Sequence, residues 1–192
     1  MDILTEIVSF KRKEVDKKKS LTSIDQLMER EFFYRKPLSL KKYILEKQGY
    51  AIISEFKRMS PSKGVINDKV RVENVCKNYF ENGAAALSVL TDNKYFGGDD
   101  VDILKVRNVV SIPILRKDFI IDEYQIYEAK SIGADAILLI AACLNKEEIK
   151  HLYGIALSLS LEVLIEIHDE EEVNKIPSDA KIVGINNRNL KT

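Results

Sequence analysis

The sequence predicts an α/β fold of successive βα units, specifically a (β/α)8 barrel, and three observations carry that expectation. Short apolar runs alternate with amphipathic segments from Tyr50 onward, successive runs begin 20 to 35 residues apart, and several runs end in polar residues of one parity. The runs cover residues 51–56, 86–91, 113–119, 136–141, 162–168 and 182–188. Their spacing holds one strand plus one crossover helix, the connection that parallel strands require.

Residues 1–49 lie outside this repeat and read as an N-terminal helical extension, while residues 50–192 supply βα units one to six of a single domain. Leu4, Ile7, Val8 and Val15 form one apolar stripe, which leaves Lys11, Arg12, Lys13, Lys17, Lys18 and Lys19 to solvate the other face. Ser23 with Gln26 has the form of a capping box, and Ser39 is placed to cap a second short helix ending at Gly49. In the repeat, Asp122 with Gln125, Asn145 with Glu148 and Asp169 with Glu172 place an N-cap acceptor three residues before a reciprocal partner. Gly83 and Gly133 stand where helices should stop. Val72, Val75, Cys76 and Tyr79 form a helical stripe, as do Ile149, Leu152, Tyr153 and Ala156, so each helix has one face to lay on the sheet.

Composition narrows the function. A chain of 192 residues that is 45% apolar can bury a full core, and 30 basic residues against 30 acidic ones leave no global field for nucleic acid or an anionic membrane. No stretch reaches the roughly 20 apolar residues that span a bilayer, and the N-terminus has no apolar signal core, so a cytoplasmic protein is expected. Cys76 and Cys143 are far apart, suggest neither a disulfide framework nor a zinc site, and read as small buried apolar residues.

A doubly wound sheet should carry a glycine fingerprint after its first strand, and none follows Phe56. Instead Glu55 with Lys57, Lys117 with Phe119, Glu166 with His168 and Asn186 with Arg188 form i, i+2 pairs at strand ends. Side chains alternate faces along a strand, so each pair projects to one side, and placement at carboxyl ends points to the mouth of a barrel. Burying such charges around one cavity is costly unless they pair with each other or with a charged ligand. In that setting a lysine can serve as general acid and a glutamate as base. His168 shares the parity of Glu166 but has no second histidine nearby, so no metal is expected. The turn at residues 60–64 offers hydroxyls and backbone donors to an anion, and Tyr95, Phe96, Gly97 and Gly98 place aromatic rings on a loop made mobile by its glycines and suited to closing over a planar ring.

These pieces together resemble the indole-3-glycerol-phosphate synthase family. The likeness is carried by Ser54-Glu55-Phe56-Lys57-Arg58 followed by Ser60-Pro61-Ser62-Lys63-Gly64, by Leu87-Ser88-Val89-Leu90-Thr91-Asp92, and by Phe96-Gly97-Gly98. It continues through Pro113-Ile114-Leu115-Arg116-Lys117-Asp118-Phe119, Gly133-Ala134-Asp135, Glu166-Ile167-His168 and Gly184-Ile185-Asn186-Asn187-Arg188-Asn189-Leu190. What the resemblance implies is closure of an indole ring from 1-(2-carboxyphenylamino)-1-deoxyribulose 5-phosphate, with loss of carbon dioxide and water and with neither metal nor organic cofactor. On that reading Lys117 is the general acid, Glu166 assists the dehydration, and Lys57 binds the anionic substrate while Glu55 and Asn186 fix hydroxyls and lysine geometry. Ser60, Phe96, Phe119, Arg188 and Leu190 would complete the substrate site. The partner expected is a phosphorylated small molecule, and fusion to or association with other tryptophan-pathway enzymes stays open.

Family members carry eight strands, so the resemblance implies a barrel truncated after strand six and poorly active as written. Two rivals follow from the residues: a barrel in which Lys117 or Lys57 forms a Schiff base, as in class I aldolases, and a non-catalytic partial barrel needing a complementary chain.

Overall fold

In a computed structural model, which describes residues 3–187, all six apolar runs fold as strands. They are β1 (Ile53–Phe56), β2 (Ala86–Leu90), β3 (Ile114–Lys117), β4 (Ala136–Ile140), β5 (Glu162–Ile167) and β6 (Ile182–Ile185). The helices are α1 (Ile3–Leu21), α2 (Ile24–Met28), α3 (Leu40–Leu45), α4 (Val72–Glu81), α5 (Asn93–Phe96), α6 (Asp100–Arg107), α7 (Glu123–Ser131) and α8 (Lys146–Ser158). Each strand pairs in parallel with its successor, giving one curled sheet in the order of the chain from β1 to β6. A doubly wound sheet reverses its order at a switch point, and this one does not. Among the described residues the sheet ends at β1 and β6, and no helix is long and apolar enough to cross a membrane.

The period-two alternation sorts the strand residues into two apolar layers. Leu87, Val89, Ile114, Ile137, Leu139, Val163 and Ile165 pack outward beneath the helices. Ile53, Ala86, Leu115, Ala136, Leu138, Ile140, Leu164 and Ile182 pack together on the inner face. A sheet that is apolar on both faces suits the wall of a parallel barrel, with helices outside and side chains filling the interior.

The helix-end signals act as expected in part. Both Ser23–Gln26 and Asn145–Glu148 form complete capping boxes, and Ser39 caps α3, which ends at Leu45 with Glu46 as its C-cap, short of Gly49. Asp122 does cap α7, yet Gln125 turns away from it to bridge the Ile121 amide and the Phe119 carbonyl. Asp169 starts a 3-10 turn, Glu170–Lys175, and Glu172 reaches past it to accept from the His168 amide. Gly83 and Gly133 follow the ends of α4 and α7 with φ of 86° and 89°, where a Cβ would be strained. Cys76 is buried and its thiol is pushed up to about 12, first by desolvation; Cys143, expected inside, is only partly covered.

The N-terminal helices reach both ends of the sheet. At the amino end, Leu40 is fully buried in the inner cluster while Ser39 Oγ and the Lys41 amide hold Glu162 at 2.6 and 2.8 Å. Asp135 anchors the preceding segment by accepting from Arg35, the Leu38 amide, Arg107 and the Ile114 amide, all between 2.6 and 2.8 Å. At the carboxyl end the lysine pattern of α1 needs correction, because Lys11 and Lys18 do not point to solvent. Lys11 is 1% exposed and lies 2.9 Å from both Asp92 and Asp118, and Lys18 reaches Asp100 and Glu128 at 2.5 and 3.0 Å. Hydropathy counts any lysine as polar surface, but three carboxylates, two of them buried, repay the desolvation of Lys11.

Candidate active site

Glu55, Lys117 and Glu166 each lie two residues beyond an inner-core apolar residue, namely Ile53, Leu115 and Leu164, so all three stand on the inner face toward the carboxyl ends of their strands. By register Glu55 is level with Ser88, Lys117 with Leu90, and Glu166 with Ile140 and Gly184. Glu55 joins two ammonium groups: Lys57 Nζ is 2.8 Å from Oε1 and Lys117 Nζ is 4.0 Å from Oε2. Across the mouth Asn186, just past β6, donates from Nδ2 to Glu166 Oε1 at 3.1 Å. Two carboxylates and two cations thus share one concave surface.

These groups are less enclosed than the sequence suggests. The side chains of Glu55, Lys57 and Lys117 are 34%, 29% and 27% exposed, so water screens them and the desolvation argument applies in weakened form. Glu166 is more sheltered at 15%.

Phe96, at the end of α5, and Phe119, after β3, approach with centroids 6.0 Å apart and planes tilted by 37°, a shape that can flank a flat ring. The loop that bears Phe96 is not loosened by its glycines. Gly97 caps α5 with φ of 64°, and a Cβ on Gly98 would stand 2.2 Å from the Leu90 carbonyl oxygen, so the pair serves a turn and a close backbone approach. Arg58 fastens the same loop to the end of β1 by pairing with Asp102 and donating to the Gly97 carbonyl at 3.1 Å. Ser60 lies in a two-residue antiparallel ribbon, Met59–Ser60 against Gly64–Val65, and is buried with its Oγ accepting from the Lys63 amide at 3.3 Å. Arg188 and Leu190 lie outside the described residues.

Sequence reasoning missed the support behind these groups. Arg116 is 1% exposed and reaches Glu128 and Asp100 at 2.6 and 2.7 Å, and its Nε donates to Thr91 Oγ1 at 3.1 Å. Thr91 Oγ1 in turn donates to Asp118 at 2.6 Å. Burial opposes the charge on Asp118, but Lys11, Arg116 and the Thr91 hydroxyl outweigh it and hold the carboxyl at about 2. Arg116 and Asp118 have the parity opposite to Lys117, so the signal was present in the alternation but pointed away from the mouth.

A parallel wall of βα units with acid, base and aromatic groups at the carboxyl ends of its strands defines an α/β-barrel enzyme. Residues 4–192 match the family model described as indole-3-glycerol phosphate synthase, and the chain belongs to that family, whose enzymes are carboxy-lyases of tryptophan biosynthesis. An indole-3-glycerol phosphate synthase of Bacteroides thetaiotaomicron is 51% identical over 191 residues, spanning 100% of this chain and 73% of the relative. One from Caldanaerobacter subterraneus is 45% identical, spanning 99% and 73%. Another, from Lachnospira eligens, is 53% identical over 149 residues, spanning 77% and 55%. Among solved structures, that of a Schiff base forming fructose-1,6-bisphosphate aldolase aligns over 74% of this chain and 67% of its own, at 14% identity and a TM-score of 0.45. A likeness that weak assigns no chemistry.

Proposed function

We propose that the mouth closes the indole ring of indole-3-glycerol phosphate, with Lys117 as general acid and Glu166 as the acid–base group of the dehydration. The observation that carries this reading is the shared inner face: Lys117 and Lys57 gathered on Glu55 at one side, Glu166 held by Asn186 at the other. The substrate's ring carbon, which bears the carboxylate, bonds to the ribulose carbonyl carbon while Lys117 gives a proton to the carbonyl oxygen. The bond to the carboxylate carbon then breaks, carbon dioxide leaves, and its electron pair restores the aromatic ring. Finally the new hydroxyl departs as water and a proton leaves the adjacent carbon, with Glu166 moving protons in this step.

Lys57 supplies positive charge to the anionic substrate, and Glu55 fixes the two ammonium groups relative to each other. Phe96 and Phe119 flank the anthranilate ring, Ser60 contacts its carboxylate, and Arg188 and Leu190 complete the substrate contacts. The ligand class is a phosphorylated small molecule, and a cytoplasmic setting suits it.

Kinetics on the complete gene product test the assignment, with indole-type fluorescence as the signal. Lys117→Met should lower kcat by about 10²-fold or more while substrate still binds, since it removes only proton donation. Near-normal turnover would refute the role. Lys57→Ala should raise KM and lower kcat together, and an unchanged KM would remove Lys57 from the substrate site.

A further inference from the structure

His168 is a polar group in the mouth whose surroundings the proposed chemistry leaves unexplained. Both ring nitrogens are shielded from water, and among the described residues neither has a hydrogen-bond partner. Each nevertheless faces a carboxylate, with Nε2 3.5 Å from Glu166 Oε1 and Nδ1 3.6 Å from Glu172 Oε2. Leaving such a group unsatisfied costs on the order of 1–3 kcal/mol, which packing alone does not explain for a ring at the rim of an open mouth.

The two carboxylates differ in freedom. Glu172 is buried and fixed: its Oε2 accepts from the His168 amide at 2.7 Å, and its own amide donates to Asp169 Oδ1 at 3.1 Å. Glu166 is held through Oε1 alone, by Asn186, and among the described residues Oε2 has no partner. No cation competes from the neighbouring turn, because Lys175 spends its ammonium on the Ala141 and Leu144 carbonyls at 2.7 and 3.1 Å. If Nδ1 turns its proton to Glu172, a neutral Nε2 would set a lone pair against Glu166 Oε1. The other tautomer aims its Nε2–H at Glu166 Oε1 instead, so the ring can offer a donor to either carboxylate.

We propose that His168 is a positioning residue that bridges the fixed Glu172 to Glu166 and orients the Glu166 carboxylate for proton transfer. The gaps of 3.5 and 3.6 Å on either side of the ring close to hydrogen bonds with a small rotation of the imidazole, a tightening common between free and loaded sites. This inference rests on the acid–base role given to Glu166.

The test compares His168→Gln, Glu172→Gln, Glu166→Gln and the double variant His168→Gln/Glu166→Gln in the complete gene product, with circular dichroism to confirm folding. His168→Gln should lower kcat about tenfold with KM within about twofold, as expected when a residue that does not touch substrate leaves the Glu166 carboxylate misaligned. Glu172→Gln, which keeps an acceptor for the backbone amide, should reproduce that loss and stands in if His168→Gln does not fold. In the Glu166→Gln background His168→Gln should cost nothing further, whereas a merely structural histidine would lower kcat by the same factor in both backgrounds. Parental kcat in both His168→Gln and Glu172→Gln, or losses that multiply in the double variant, would overturn the positioning role alone. Full turnover by Glu166→Gln would overturn the acid–base assignment and the inference with it.

Discussion

Replacing Lys11 by methionine isolates the contact that fastens the N-terminal helix to the barrel mouth. The methionine keeps the unbranched stem up to the position of Cε and removes the ammonium. Lys11 is 1% exposed and sits 2.9 Å from Asp92, 2.9 Å from Asp118 and 3.0 Å from Glu14. Asp118 keeps Arg116 and Thr91 after the change, and Glu14 keeps Lys18. Asp92 is 0% exposed and, among the described residues, its side chain retains only the Tyr95 amide at 2.8 Å. Breaking a buried pair this way costs about 3–5 kcal/mol, because a carboxylate is left buried without a cation. For a chain of this size that lowers Tm by about 6–20 °C, at roughly 2–4 °C per kcal/mol. Urea unfolding followed by circular dichroism measures the loss. The double variant Lys11→Met/Asp92→Asn should recover a large part of it, since the stranded charge is then gone. A loss under about 1 kcal/mol for Lys11→Met, or no recovery in the double variant, would show that the ion is paired at the surface and not buried.

The same cluster makes stability depend on pH. The folded Asp118 carboxyl lies at about 2, below its ordinary value of 3.8, so its contribution is complete above that ordinary value and fades as pH falls toward 2. The amount is about 2 kcal/mol, lost between about pH 4 and pH 2; urea midpoints across that range should fall steeply for the parent and less for Lys11→Met. Asp135→Asn withdraws the carboxylate that serves Arg35, Arg107 and two backbone amides and should cost about 3–5 kcal/mol, read as a lower Tm; an unchanged melt would contradict the buried pairing. Gly98→Ala places a Cβ 2.2 Å from backbone that cannot yield, so a loss of about 1–3 kcal/mol should come with a shift of Phe96 and a higher KM; parental stability would show that the loop has room to move.

Much of the fold was legible because strand and helix each impose a period that apolar residues record. Ile149, Leu152, Tyr153 and Ala156 are the buried residues of α8, as their spacing requires, and all six strands fall within their apolar runs. The candidate site was legible through parity: Glu55, Lys117 and Glu166 share a face because each stands an even number of residues from an inner apolar neighbour. What stayed hidden was pairing between distant segments. Lys11 and Asp118 are 107 positions apart, and no local pattern tells a lysine that will meet two carboxylates from one that will meet water. Gly98 was misread for a related reason, since close approach to Leu90 depends on tertiary packing and a glycine in a loop looks permissive by default. His168 reads from sequence as a member of a strand-end pair and as a metal ligand to be discounted, and its carboxylate neighbour Glu172 comes into reach through the turn after β5.

The strand end at β3 shows how these two kinds of residue depend on one another. Lys117 and Phe119 face the mouth, while Arg116 and Asp118 face a cluster that also holds Lys11, Lys18, Thr91, Asp100 and Glu128. Four consecutive residues are therefore fixed from both sides of the sheet, and the inner pair cannot be set without the outer one. Among the described residues the Lys117 side chain has one ion contact, at 4.0 Å to Glu55, so the ladder to β2 and the buried ions on its two neighbours do much to set its position. A loss of charge in the outer cluster should consequently reach the chemistry through geometry, lowering kcat in variants that never touch substrate. The α1 helix acts in this scheme as a structural member of the mouth, because its one buried ammonium ties the turn that leads to Phe96 to the strand end that carries Phe119.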